Sequence, residues 1–236
     1  MNDFDKFRGV TRSPHLIIID PASDRPETAN ANQLALSSPV PTTYHLPALF
    51  GMDSIVAEEP GAACGMILLG SASSVNDRSP WQRQLEAWLE RQFTARLPTL
   101  AICFGHQLVA SMFGATVGPA VPSGAYLRGL RQVSLDQAAW GPAASGELVV
   151  AHGEEVLSVP TGMHVFARSQ EVAIDGLAHD ELPLWTLQSH PEADRSFLRG
   201  QDISPTMVST ESLIFGHKLV RQFVQYTVTT YTTEPL

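Results

Sequence analysis

The sequence predicts an α/β protein: one domain with a central, mostly parallel sheet that is flanked by helices on both faces. Residues 66–113 alternate strand, helix, strand and helix, which is the order that a parallel sheet covered by helices requires. No linker-like segment divides residues 13–236, and a chain of 236 residues suits a single α/β domain. Residues 1–12 are predicted to be a loose N-terminal tail.

In the first half, short apolar runs are separated by turn residues and amphipathic segments. Buried strands are predicted at residues 15–20, 66–69 and 99–103. Helices are predicted at residues 27–38, 80–97 and 105–113. The second of these begins at Ser79-Pro80, a helix cap followed by a proline at the first helical position. Residues 44–57 show no clear pattern.

The second half is richer in strands. Extended segments are predicted at residues 131–135, 147–151, 164–167, 172–175 and 184–188, with turn residues between them. Residues 209–226 carry apolar side chains at helical spacing and are predicted to form a terminal helix.

Composition excludes several classes of function. Apolar residues make up 44% of the chain and charged residues 17%, which excludes a mainly disordered protein. The net charge of −9 disfavours binding to nucleic acid or to anionic membrane surfaces. No apolar run approaches the ~20 residues that span a bilayer, and the polar N-terminus lacks an apolar signal core. A cytoplasmic protein is expected.

Cys103 is the stronger nucleophile candidate of two cysteines, and Cys64 is expected to be inert at the start of a buried strand. Cys103 ends a predicted strand and precedes Phe104-Gly105, where the next helix begins. A sharp strand-to-helix turn exposes the turn side chain, and the helix N-terminus favours a thiolate. The alternative is that Cys103 is a small buried apolar residue, as most lone cysteines are.

His190 and Glu192 form the second candidate pair, in the segment QSHPE. In an extended segment, residues two apart project to the same side, so Glu192 can accept a hydrogen bond from His190 and orient it toward a nucleophile. The alternative is a polar turn after a strand. Because strand ends at one edge of a parallel sheet converge, Cys103, His190 and Glu192 are predicted to meet in one crevice.

These segments resemble class I (triad-type) glutamine amidotransferases, particularly stand-alone members similar to the glutaminase domain of GMP synthase. Residues 100–110, LAICFGHQLVA, are close to the family's nucleophile motif G-x-C-x-G-x-Q, and residues 190–192 match its H-P-E motif. Residues 70–75, GSASSV, and 151–154, AHGE, are weaker matches to its G-G-P-x-S-V and S-H-G-D segments. The departures are Ala101 before the nucleophile and Ser71-Ala72 in place of Gly-Pro.

The resemblance implies a glutaminase that releases ammonia from glutamine through a γ-glutamyl thioester on Cys103, with His190 as base and Glu192 orienting it. Backbone N–H groups of Phe104 and of Gly70 or Ser71 are expected to stabilise the oxyanion. Because Ser71 lacks glycine's freedom at positive φ, this loop is expected to differ in shape. Gln107 and the backbone near His152 and Gly153 are expected to hold the substrate.

Two other functions stay open at this stage: a γ-glutamyl peptide hydrolase that uses the same triad, and a non-catalytic regulatory or binding module of the same fold. No synthase domain is attached, so a separate synthase subunit is a possible recipient of ammonia. No cofactor or metal is expected, because phosphate loops and metal-ligand clusters are missing from the sequence. His106 and His164 are expected to be structural. Residues 21–64 and 115–146 show no resemblance and are expected to carry substrate or partner preference.

Overall fold

The computed structural model describes residues 14–58 and 61–233, so the predicted tail at residues 1–12 lies outside the described residues. The strands are β1 His15–Ile19, β2 Thr42–His45, β3 Ala63–Leu68, β4 Thr99–Ile102, β5 Val117–Pro119, β6 Leu127–Leu135, β7 Ala144–His152, β8 Glu154–Val156, β9 Met163–Ser169, β10 Gly176–His179 and β11 Leu184–Leu187. The α-helices are α1 Thr28–Ser37, α2 Pro47–Phe50, α3 Asp53–Val56, α4 Pro80–Thr94, α5 Phe104–Met112, α6 Arg195–Gly200 and α7 Thr210–Thr233. Short 3₁₀ turns lie at Val75–Asp77 and Pro205–Met207.

A nine-stranded mixed sheet forms the centre of the molecule, in the order β2-β1-β3-β4-β11-β10-β9-β6-β7. The first five strands pair in parallel, and the other four pair antiparallel. Strands β5 and β8 form a separate antiparallel pair. The α/β class is confirmed. The parallel part of the sheet comprises the five strands that lead to the predicted crevice.

Helices cover both faces of this sheet, as predicted. One apolar cluster joins α1 and α7 to one face, through residues such as Leu34 and Phe223. The other joins α4 and α5 to the opposite face, through residues such as Trp88 and Leu108. Strands β3 and β4 are buried along their whole lengths, as strands covered on two sides must be.

One predicted strand is wrong. Residues 172–175 form a turn between β9 and β10, in which the Ser169 N–H donates to the Val172 carbonyl at 2.9 Å. The strand begins instead at Gly176, where an added Cβ would collide with the Thr186 carbonyl oxygen. Val172 is buried because this turn packs into the core. An apolar residue at this position is therefore compatible with a turn as well as with the predicted strand.

Several short elements have no counterpart in the sequence prediction. They are β2, α2 and α3 within or beside residues 44–57, the β5–β8 pair, and α6. Each has six residues or fewer, too few to display a periodic apolar pattern. Within the described residues, no helix combines the length and apolar character that crossing a bilayer requires.

Candidate active site

Cys103 lies at the turn between β4 and α5, in a backbone conformation that non-glycine residues rarely adopt. Its φ is 53° and its ψ is −106°, and it is the residue that precedes the first turn of α5. The thiol points back toward β7, where Sγ lies 3.8 Å from the carbonyl oxygen of Ala151. This is the strand-to-helix elbow that the sequence predicts, and it places Cys103 at the N-terminus of α5.

His190 and Glu192 follow β11, next to β4 in the sheet. His190 Nδ1 donates to Glu192 Oε1 at 2.8 Å, so the predicted contact between the two side chains is present. The backbone of His190 is tied to β7, because its N–H donates to the Val149 carbonyl at 2.8 Å. His190 Nε2 is buried and has no hydrogen-bond partner of ordinary geometry among the described residues, although the Cys103 thiol is near enough to affect the pKa of His190.

Gly70 is the point at which Cys103 and His190 come together. A Cβ built on Gly70 would lie 3.1 Å from His190 Cε1, 3.4 Å from Cys103 Cβ and 3.8 Å from Cys103 Sγ. Both side chains therefore pack against the same backbone. Gly70 and Ser71 have no positive φ, so glycine's conformational freedom is not used here. The glycine is needed because a side chain would crowd His190.

Ser71 shapes the predicted oxyanion loop through its side chain. Its hydroxyl donates to the Pro21 carbonyl at 2.8 Å and accepts from the Ser73 N–H at 3.1 Å. The loop is thereby joined to the segment after β1. Phe104, the other predicted oxyanion donor, is the first residue of α5 and is buried against Trp81, with ring centroids 5.7 Å apart.

The charges around His190 favour its protonated form. Burial alone would lower the pKa of His190, but Glu192 and Cys103 outweigh that effect and raise the pKa well above its usual value. An imidazole with a raised pKa is a stronger acceptor for the Cys103 proton.

A cavity of about 200 Å³ opens at this corner. The predicted site residues that line it are Cys103, His190, Glu192, Gly70 and Ser71. Ala72 and Ala151, which lie in the two weaker motif matches, also line it. The remaining wall comes from residues that the sequence did not single out: Ala22, Asp24, Arg25, Glu27, Tyr126, Phe197, Gly200 and Gln201. The most polar of these lie in segments 21–64 and 115–146, where substrate preference was expected without named residues.

Tyr126 is one such residue beside the nucleophile. Its hydroxyl donates to the Ala151 carbonyl at 2.8 Å, the same oxygen that faces Cys103 Sγ. The Arg128 guanidinium lies 4.9 Å from the centre of the Tyr126 ring. Burial and the nearby Cys103 raise the pKa of Tyr126 to about 12, against the opposing effect of Arg128. The Tyr126 hydroxyl is therefore uncharged near neutral pH, and the residue forms part of the cavity wall.

Gln107 and His152 lie behind the cavity and do not line it. Gln107 Nε2 donates to the Glu154 carbonyl at 2.7 Å and to Gln188 Oε1 at 3.1 Å. His152 Nδ1 donates to the same Glu154 carbonyl at 3.0 Å. Gly153 packs against Tyr126. That Gln107, His152 and Gly153 hold the substrate stays a prediction, and both side chains already bond within the protein.

These residues belong to a larger buried group, the supporting network, which consists of Gln107, Arg131, His152, Asp175 and Ser189. Arg131 donates to His152 Nε2 at 3.0 Å and pairs with Asp175 at 3.4 Å. Asp175 Oδ1 also accepts from the Ser189 hydroxyl at 3.0 Å, next to His190. Burial and the Arg131 charge lower the pKa of His152 to about 4, so its ring is neutral.

The other candidate side chains are structural. His106 is fully buried, its Nδ1 lies 2.7 Å from the Thr186 hydroxyl, and burial lowers its pKa to about 3. His164 is exposed and pairs with Asp180. Cys64 is buried within β3, and burial raises its pKa. Within residues 14–58 and 61–233, no three His, Cys, Asp or Glu side chains gather as a metal site would require.

Comparison with known proteins identifies the family of the chain. Residues 52–201 match the family described as glutamine amidotransferase class-I. The chain is 30% identical over 158 residues to a glutamine-hydrolyzing GMP synthase subunit from Pyrococcus abyssi, covering 67% of this chain and 79% of that protein. It is 33% identical over 132 residues to the Methanopyrus kandleri protein of the same name, covering 55% and 67%.

A solved structure supports the fold. A glutamine amidotransferase from Thermotoga maritima superimposes with a TM-score of 0.69 at 16% identity, covering 91% of this chain and 98% of that one. At that identity the likeness concerns the fold alone, while the sequence matches concern the family. The chain belongs to the class I glutamine amidotransferases.

Proposed function

We propose that the chain hydrolyses the side-chain amide of glutamine through a γ-glutamyl thioester on Cys103 and releases ammonia. The observation that carries this proposal is the meeting of Cys103, at a strained elbow with φ of 53°, with the His190–Glu192 pair across Gly70. A nucleophile, a base and a group that orients the base are the three parts that such chemistry needs.

In the proposed acylation, His190 Nε2 takes the proton of the Cys103 thiol, and the sulfur attacks the amide carbon of glutamine. The negative charge that develops on the amide oxygen is stabilised by the backbone N–H groups of Phe104 and of Gly70 or Ser71. The C–N bond then breaks, and the leaving nitrogen takes the proton from His190. Ammonia departs and the thioester remains.

Deacylation uses the same base. A water molecule gives a proton to His190 and attacks the thioester carbon, and the C–S bond breaks. The sulfur recovers a proton from His190, and glutamate leaves. Glu192 transfers no proton in either step; it fixes the tautomer of His190 and stabilises its charged form through the 2.8 Å hydrogen bond.

Covalent trapping tests the proposal. A diazoketone analogue of glutamine should alkylate Cys103 stoichiometrically, as read by peptide mass spectrometry. Cys64 is an internal control, because it is buried inside β3 and should stay unmodified. Cys103→Ala should abolish labelling. Intact protein that shows no labelling of Cys103 and no hydrolysis of glutamine would leave the non-catalytic module as the better interpretation.

The ammonia recipient in the proposal is a separate synthase subunit, as the name of the glutamine-hydrolyzing relatives suggests. We expect slow hydrolysis by the isolated chain and faster hydrolysis with the partner bound, through adjustment of the oxyanion loop at Gly70-Ser71. Losing one oxyanion donor costs on the order of 10²–10³ in rate, so small shifts there matter. Steady-state ammonia release by the isolated chain measures this. A fast rate without any partner would contradict the coupling and favour a self-sufficient hydrolase.

A further inference from the structure

The segment between β1 and α1 supplies a charged wall to the catalytic cavity. Asp24, Arg25 and Glu27 line the same cavity as Cys103 and His190. The Arg25 guanidinium is engaged at the rim, where it donates to the Gly200 carbonyl. The acidic side chains outnumber the basic one in this segment, so the wall has net negative charge.

Glu27 is held in place through its backbone rather than through its carboxylate, as far as the described residues show. Its N–H donates to Asp20 Oδ2 at 2.7 Å, and Asp20 is fully buried and also accepts from the Tyr44 hydroxyl. The Glu27 side chain makes no capping hydrogen bond to α1. Within residues 14–58 and 61–233, no hydrogen bond or ion pair of its carboxylate is found. The backbone of Glu27 is therefore fixed, and the residue lines the cavity.

The charge of Glu27 is coupled to the charges of the residues around the cavity. The charged groups that act on it are Glu192, Asp20, His190 and Arg25. Burial, followed by repulsion from Glu192 and Asp20, raises the pKa of Glu27 to about 7, while His190 and Arg25 oppose the rise. Glu27 therefore shares a cavity of about 200 Å³ with His190 and Glu192 and responds to their charges.

His190 is the residue that meets the leaving group in the proposed mechanism. His190 Nε2 belongs to a residue only 4% exposed, has no partner among the described residues, and lines the cavity. In the proposed mechanism this atom gives its proton to the departing nitrogen. A group attached to that nitrogen therefore occupies the cavity that Glu27 and Glu192 also line.

We propose that Glu27 determines specificity by rejecting anionic leaving groups and accepting ammonia or a cationic amine. This inference rests on the proposed function. A γ-glutamyl peptide releases an amino acid whose carboxylate sits one carbon from the scissile nitrogen, so that charge would face Glu27 and Glu192 in a confined space. Ammonia carries no such charge, and an amine with a second ammonium group would be attracted.

Three γ-glutamyl amides of similar size test the proposal: the neutral ethylamide, the anionic glycine adduct and the cationic 2-aminoethyl amide. We expect kcat/KM at pH 8 to rank cationic above neutral above anionic. Glu27→Gln keeps the side-chain shape and should lower the cationic-to-anionic ratio by about tenfold, through loss of one near charge. Glu90→Gln makes the same charge change on the exposed side of α4 and should leave the ratio unaltered.

A pH series gives a second readout. Because Glu27 is ionised above pH 7 and neutral below it, the wild-type ratio should fall between pH 8 and pH 6, whereas the Glu27→Gln ratio should stay flat. Titration of His190 affects all three substrates and cancels in the ratio.

The outcomes separate this inference from the proposed function. Hydrolysis with a ratio that Glu27→Gln does not change would overturn the inference and leave the function intact. Hydrolysis of glutamine without any hydrolysis of the cationic amide would also overturn it. If neither glutamine nor any γ-glutamyl amide is hydrolysed in a Cys103-dependent way, the proposed function itself fails.

Discussion

The candidate catalytic corner, formed by Cys103, His190 and Glu192, differs from the supporting network in how its polar atoms are used. Both are buried. In the network, His152 bonds through both ring nitrogens. In the corner, His190 Nε2 and Glu192 Oε2 have no partner within the part of the chain that the structure describes. Buried polar atoms normally find partners, so unpaired ones beside a cavity indicate where a ligand completes the bonding.

An unpaired buried polar atom indicates a ligand site only if its residue also lines the cavity. His106 Nε2 is also buried and lacks a partner among the described residues, yet His106 does not line the cavity. The comparison therefore yields a rule for this molecule: side chains of the corner should affect turnover, and side chains of the network should affect stability. The predictions that follow test that division, beginning with the largest expected effect.

Removal of the nucleophile or the base should cause the greatest loss. Cys103→Ala and His190→Ala should each reduce glutamine turnover by on the order of 10⁴–10⁶, because the two groups act as a unit. Ammonia release under steady-state conditions measures this, with circular dichroism to establish folding. Turnover within about tenfold of wild type in either folded variant would contradict the proposed mechanism.

Glu192→Ala should cost less, on the order of 10²–10⁴ in kcat, because Glu192 orients His190 and transfers no proton. The KM should change little, since the substrate amide does not contact this carboxylate in the proposed mechanism. If Glu192→Ala lost as much activity as Cys103→Ala and also unfolded at lower temperature, Glu192 would belong with the supporting network.

Substitutions in the supporting network should lower stability rather than turnover. Arg131→Met should lower the free energy of unfolding by about 3–5 kcal/mol, because it leaves the buried Asp175 charge without its partner. Burial raises the pKa of Asp175 and Arg131 opposes that rise. The variant should therefore be less stable at pH 8 than at pH 5, where Asp175 is more readily protonated.

Urea unfolding measures that loss, and a double variant provides the control. Arg131→Met combined with Asp175→Leu removes both charges and should recover most of the stability. If the double variant were no more stable than Arg131→Met alone, the pair would not be the source of the effect.

The corner could be predicted from sequence because its geometry is local. A strand followed at once by a helix defines the Cys103 elbow, and two-residue spacing sets Glu192 beside His190. The parallel order of β4 and β11 then brings the two motifs to one sheet edge. Each step depends on a few neighbouring residues or on a general property of parallel sheets.

Glu27 and Tyr126 could not be predicted in this way. Glu27 reaches the cavity because Asp20 holds its backbone, and Tyr126 reaches it by bonding to Ala151, 25 residues away. Such placements depend on loop paths that no local pattern specifies. The strand expected at residues 172–175 failed for a related reason, because buried apolar residues also occur in turns that pack into the core.

Gly70→Ala should have the smallest effect and distinguishes crowding from backbone strain. Alanine can adopt the backbone conformation of Gly70, which has no positive φ, so the fold should tolerate it. The new Cβ would lie 3.1 Å from His190 Cε1, and His190 would have to shift by a few tenths of an ångström. Since small misplacements of reacting groups are costly, kcat should fall by about 10- to 100-fold.

Gly141→Ala is the matched control for Gly70→Ala, because its added Cβ would meet only the Gln222 side chain at 3.4 Å, an ordinary contact. It should leave both turnover and unfolding unchanged. Steady-state kinetics and urea unfolding of the two variants separate the cases. Normal turnover in Gly70→Ala would mean that His190 yields to the methyl group without loss, and that the corner is held less tightly than its contacts with Gly70 imply. Reduced turnover together with reduced stability would mean that Gly70 is needed for the fold, and that the loss of activity follows from the loss of structure.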